Sequence, residues 1–104
     1  MKSEYQIRMD FQRASDVAGD LRSIAKNTRD AANLDLQGAL TRIKGSWEGE
    51  NSDAFQTKGD RLRQQVVDLA DDVESIAKAI EQIAENTYQA EMRAIRIAEE
   101  TSGQ

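Results

Sequence analysis

A chain of 104 residues, 38 % apolar and 32 % charged, is long enough for one small domain and suits long amphipathic helices with one buried face. It has no proline, cysteine or histidine, which excludes disulfides, thiolate nucleophiles, the usual zinc sites and the commonest general base. The net charge of −5 falls in the second half: residues 1–50 balance eight acids with eight bases, while residues 51–104 carry eleven acids and six bases, so no basic face offers itself to nucleic acid.

At the N-terminus, Met1-Lys2-Ser3-Glu4-Tyr5-Gln6 shows neither the apolar core nor the small-residue cleavage site of a conventional signal peptide. Tyr5, Ile7 and Met9 alternate with polar residues, which predicts an extended arm, with Asp10 capping the first helix. That helix is expected over about residues 10–43. Phe11, Ala14, Ala18, Leu21, Ala25, Thr28 and Ala32 follow a seven-residue repeat. One extra residue then enters, and the stripe resumes at Leu36, Leu40, Ile43 and Trp47, a stutter that locally unwinds a supercoil. Val17, Ile24 and Ala31 widen the apolar face. Gly38 costs about 1 kcal/mol against alanine and marks a place to bend.

Residues 44–51 form the expected turn, where Gly45 ends the first helix in a left-handed conformation and Gly49 permits close backbone approach. Between them stands the only tryptophan, in Trp47-Glu48-Gly49. A short connection favours antiparallel neighbours. The second helix is expected over about residues 52–99, capped by Asn51 or Ser52, with residues 100–104 a flexible tail. Its apolar positions alternate four and three residues apart: Phe55, Gly59, Leu62, Val66, Leu69, Val73, Ile76, Ile80, Ile83, Thr87, Ala90, Ala94 and Ile97. Such a repeat makes a left-handed supercoiled seam. Beside it, Ala70, Ala77 and Ala84 let a further helix approach closely, and this line is assigned to the face of a dimer. The fold class is therefore all-α: an antiparallel helix-turn-helix hairpin that dimerises into a four-helix bundle. Helix-packing or dimer-seam residues are Leu21, Leu40, Ile43, Phe55, Leu62, Val66, Leu69, Val73, Ile76, Ile80 and Ile83.

Chemistry is sparse. No nucleophile elbow, phosphate loop or Ser-Xaa-Xaa-Lys context surrounds the serines, threonines and lysines. Asp71, Asp72 and Glu74 lack the glycine-containing loop of a calcium site and read as solvated charge. No catalytic, cofactor-binding or metal-binding residue is expected. No apolar run approaches the ~20 residues of a membrane span, so no stable membrane insertion is expected, and these features alone read as cytoplasmic. Trp47 has two readings. As a buried bend anchor, its loss costs ~3–5 kcal/mol; as a docking element, it is dispensable for folding.

With Ser46-Trp47-Glu48-Gly49-Glu50-Asn51-Ser52-Asp53-Ala54-Phe55 between two heptad arms, the chain resembles the WXG, or ESAT-like, family of small type VII secretion proteins. The resemblance implies export without a cleaved signal peptide, from the bacterial cytoplasm by a secretion ATPase. It implies a homodimer, or a pair with a related helical-hairpin protein, in which the Trp-Xaa-Gly turn of one protomer lies near the partner's C-terminal helix. Trp47 and Gly49, with Tyr88 and Glu91, are then the export surface. The family's signal is a tyrosine followed four residues later by an acid, whereas Tyr88 has Glu91 at plus three and Met92 at plus four. This departure opens a second reading, a small companion of an LXG-type toxin that joins the toxin's N-terminal helical domain. A cytoplasmic coiled-coil adaptor unrelated to secretion would show the same heptads.

Overall fold

The computed structural model describes residues 1–47 and 49–103, with the backbone alone at Glu50. Helix α1 runs Glu4–Asp30, passes through a π-helical segment at Ala31–Leu36, and continues as α2, Gln37–Ser46; after a short turn, α3 runs Glu50–Ser102. The chain is an all-α helical hairpin, and no strand occurs among the described residues. Its residues group into two compact units, 1–21 with 75–104, and 22–74.

The first arm starts earlier than the alternation of Tyr5, Ile7 and Met9 suggests. The Gln6 N–H donates to Ser3 Oγ at 3.1 Å while the Ser3 N–H donates to Gln6 Oε1 at 2.9 Å. This reciprocal capping box satisfies two otherwise orphaned donors and nucleates the helix at Ser3, seven residues before Asp10. The expected extended arm is thus helical, and Ile7 is buried.

The extra residue between Ala32 and Leu40 is absorbed in the backbone. The Gln37 N–H reaches the carbonyl of Ala32, five residues back, so the π-helical turn takes up one residue and returns the apolar stripe to the inner face. Ala32 and Leu40 are both buried on either side of it. Gly45 does not end the helix in a left-handed conformation; α2 runs through it to Ser46. The one positive φ among the described residues is at Gly49, +116°. Nor do Asn51 and Ser52 cap α3. Its first turn is closed on the Gly49 carbonyl, which accepts from the Ser52 and Asp53 N–H groups at 3.1 and 3.2 Å. At the far end the expected flexible tail is helical through Ser102, and the Gly103 N–H donates to the Glu99 carbonyl; Gln104 lies outside the described residues.

Packing in both units rests on alanine. Ile7, Ala18 and Ala77 are the buried apolar residues of the first, and Ala25, Ala32, Leu40 and Ala70 those of the second. The assignment of the Ala70, Ala77 and Ala84 line to a dimer face is therefore corrected: Ala70 and Ala77 are fully buried inside the hairpin, and Ala84 is half-buried. Small side chains on both arms let the backbones approach, and the larger residues beside them are carried to the flanks. Val66, Val73, Ile80, Leu21 and Ile43 of the expected seam are half-buried, while Phe55, Leu62, Leu69, Ile76 and Ile83 are exposed.

The second unit has one large inward knob. Leu40 packs where Gly59 has no side chain: a Cβ there would stand 2.9 Å from Leu40 Cδ1, and closer still to Cδ2. Gln56 Nε2 also donates to the Leu40 carbonyl at 2.9 Å. Gly59, the apparent gap in the heptad, is the socket for Leu40.

Two consequences are measurable by urea denaturation. Gly59→Ala should destabilise by about 1–2 kcal/mol, overpacking outweighing a helix-propensity gain of about 1 kcal/mol, and should become neutral or stabilising in a Leu40→Ala background. Ala77→Leu should cost about 1–3 kcal/mol by forcing the helices apart.

Candidate functional site

The turn is built from its backbone outward. Ser46 Oγ donates to the Arg42 and Ile43 carbonyls, and the Trp47 N–H closes the last turn of α2 on Ile43 at 2.8 Å. Trp47 then turns extended, at φ −135° and ψ 108°, and the positive φ of Gly49 redirects the chain into α3. A left-handed backbone disfavours any residue with a Cβ, so glycine at the third position of the tripeptide is a conformational need. Glu48, the middle residue, lies outside the described residues.

This backbone sets the Trp47 ring against Phe55, centroids 5.7 Å apart with planes inclined at 53°. Trp47 is 44 % exposed and Phe55 41 %. The pair is a surface feature, not a buried anchor. Phe55, expected in a packing seam, is instead the ring on which Trp47 rests. Ala54-Phe55 following the tripeptide is the sequence signal for it.

Tyr88 and Glu91 belong to the other unit, one turn apart on α3. The Tyr88 ring lies 5.1 Å from that of Phe11, inclined at 45°. These rings, with Ile7, Ile80 and Ala84, line an apolar pocket of about 270 Å3 whose rim carries Asp10, Glu91 and Lys2. Lys2 Nζ lies 2.9 Å from Asp10 and 3.3 Å from Glu91. Its hydrogen bond to Asp10, then that to Glu91, raises the ammonium pKa above the ordinary lysine value of 10.5. This contribution to stability is therefore present at neutral pH and fades as pH rises through that raised value. Glu91 is thus held by an intramolecular partner that sequence reasoning missed.

In the second unit the flanks carry a cross-helix ion network. Arg29 bridges Asp71, at 2.7 Å, and Glu74, while Arg22 stands 3.7 Å from Glu74. The carboxylates, Asp71 before Glu74, raise the Arg29 pKa above its usual value. Asp71 and Glu74 therefore serve in helix pairing. Among the described residues no group of His, Cys, Asp or Glu could hold a metal ion.

The largest unspent surface is apolar. Phe55, Leu62, Leu69, Ile76 and Ile83, spaced seven apart on α3, are 41 to 64 % exposed, and Val17 and Ile24 on α1 are about half exposed. On this helix the alanines are buried and a heptad line of large apolar residues is left open.

Because the Trp47 ring is only half covered, Trp47→Ala should cost about 1–2 kcal/mol, below the ~3–5 kcal/mol of a buried aromatic, with unchanged far-ultraviolet circular dichroism. Urea denaturation checks it.

No curated protein and no solved structure gives a significant match to the chain. Among the described residues no helix is long and apolar enough to cross a membrane. A family model, proteins of 100 residues with WXG, matches residues 6–92, which spans both arms and the turn. Members of this family commonly associate in pairs. The chain belongs to the WXG100 family and is a small protein associated with type VII secretion.

Proposed function

We propose that the protein is a secreted substrate of a type VII system that leaves the bacterial cytoplasm as a helical pair and acts by protein–protein association, with no catalytic step and no cofactor. The observation that carries this reading is the exposed line Leu62, Leu69, Ile76 and Ile83 on α3. The hairpin by itself buries mainly alanines, each worth about 0.8 kcal/mol per methyl, whereas covering the exposed half of each large residue adds roughly 1 kcal/mol apiece. A second hairpin laid on this face completes a four-helix bundle. The partner is a second copy, a related helical hairpin, or the N-terminal helical domain of an LXG-type toxin. Trp47 and Gly49 on the turn of one protomer, with Tyr88 and Glu91 supplied by the C-terminal helix of the other, are the residues offered to the secretion ATPase.

A specific observation favours the companion reading as the alternative. Glu91 falls three residues after Tyr88 and is engaged by Lys2, so the C-terminal signal is both displaced and tied up. In that case a partner chain supplies the signal.

Light scattering across a dilution series separates these readings. A mass near twice 11.6 kDa supports pairing of like chains, and a monomer that binds a hydrophobic dye supports a foreign partner. Leu69→Glu and Ile76→Glu, made separately, should each weaken pairing at least about tenfold while the hairpin stays helical. An undiminished dimer in both variants would remove this face from the interface.

A further inference from the structure

We infer that Phe55 is a positioning residue for Trp47, so that the recognition element of the turn is a two-ring unit and not the tryptophan alone. This rests on the reading of Trp47 as part of the export surface and adds the residue that aims it. Four features converge on it. The Trp47 backbone is pinned by its N–H to Ile43, and α3 is pinned to the other side of the turn by the Ser52 and Asp53 N–H bonds to Gly49. The two rings meet at 5.7 Å in a tilted arrangement, which aromatic quadrupoles favour over a parallel sandwich. Both rings remain about two-fifths exposed, so each still offers apolar area to a partner. Finally, Leu40 seated on Gly59, with Gln56 bonded to the Leu40 carbonyl, fixes α2 against the first turns of α3 that carry Phe55.

An exposed tryptophan on a free rotamer loses side-chain freedom when it docks. One already propped against a ring has lost it on folding. Apparent affinity falls in proportion to the fraction of molecules holding the competent rotamer. An aromatic pair of this kind is worth 0.5–1.5 kcal/mol beyond area burial, so removing the ring should reduce recognition roughly 2- to 12-fold.

The test compares Phe55→Ala, Phe55→Leu, Phe55→Tyr and Trp47→Ala, measuring the exported fraction from cells with an active type VII system, together with thermal unfolding. Trp47 is the only tryptophan, so its acrylamide quenching reads the ring's freedom directly in the purified protein. We expect Phe55→Leu, which keeps apolar bulk, to export roughly 2- to 12-fold less with its unfolding temperature held and quenching increased. Phe55→Ala should lower export and increase quenching likewise, with a lower unfolding temperature, and Phe55→Tyr should restore both readouts. If Phe55→Leu exports like the wild type while Trp47→Ala fails, or if quenching is unchanged, the positioning role is overturned and the export surface stands. If Trp47→Ala itself exports normally, the turn is no export element and both readings fall.

Discussion

The close approach of two helix backbones along lines of alanine is the constraint on which the rest depends. Ala18 and Ala77 in one unit, and Ala25, Ala32 and Ala70 in the other, are stripped of solvent. Most larger apolar side chains on these arms find room beside the contact; Ile7 and Leu40, the latter seated at Gly59, are the buried exceptions. Half-buried valines and isoleucines take one flank. The Leu62, Leu69, Ile76 and Ile83 line is left on the outside of α3. The same geometry that closes the hairpin therefore leaves its larger apolar side chains uncovered, since dispersion and area burial scale with the atoms covered and alanine supplies few.

Keeping the alanines of both arms turned inward requires register, and the fold secures it by several devices. The π-helical turn at Ala31–Leu36 consumes the residue that would otherwise rotate the stripe out of the contact, so that Leu40 meets the socket at Gly59. Arg29 with Asp71 and Glu74 in one unit, and Lys2 with Asp10 and Glu91 in the other, tie opposing arms at their flanks. Exposed ion pairs of this sort add little stability but hold the arms together at their flanks. The acidic excess of α3 thus has a structural use on the side that faces the first arm.

At the turn, the physical demands of chain reversal and of display coincide. Gly49 supplies a backbone conformation that other residues disfavour, Trp47 is held extended, and Phe55 comes round on the first turns of α3 to meet it. A ring pair fixed this way carries large apolar area at little further entropic cost, which is what an anchor at a protein interface needs. The family's central tripeptide is accordingly a geometric device.

Apolar periodicity alone determined the all-α class and the two-armed hairpin, because a repeat sustained over so many turns has one helical solution. The tripeptide, set between those arms, marked the family. The stutter after Ala32 was visible as a broken repeat, yet its form as a π-helical turn depends on both flanks having to face one partner. The start of the first arm was also written in the sequence, at Ser3 and Gln6, and was outweighed by a short alternation at Tyr5, Ile7 and Met9. Which of two adjacent stripes on α3 faces inward was decided only in the tertiary structure. Periodicity places Leu69 and Ala70 on neighbouring faces and cannot rank them; the packed hairpin buries Ala70 and leaves Leu69 more than half exposed. Likewise, that Trp47 is a half-exposed ring propped on Phe55, and that Glu91 is held by Lys2, follow from residues brought together by the chain reversal, a proximity no local pattern encodes.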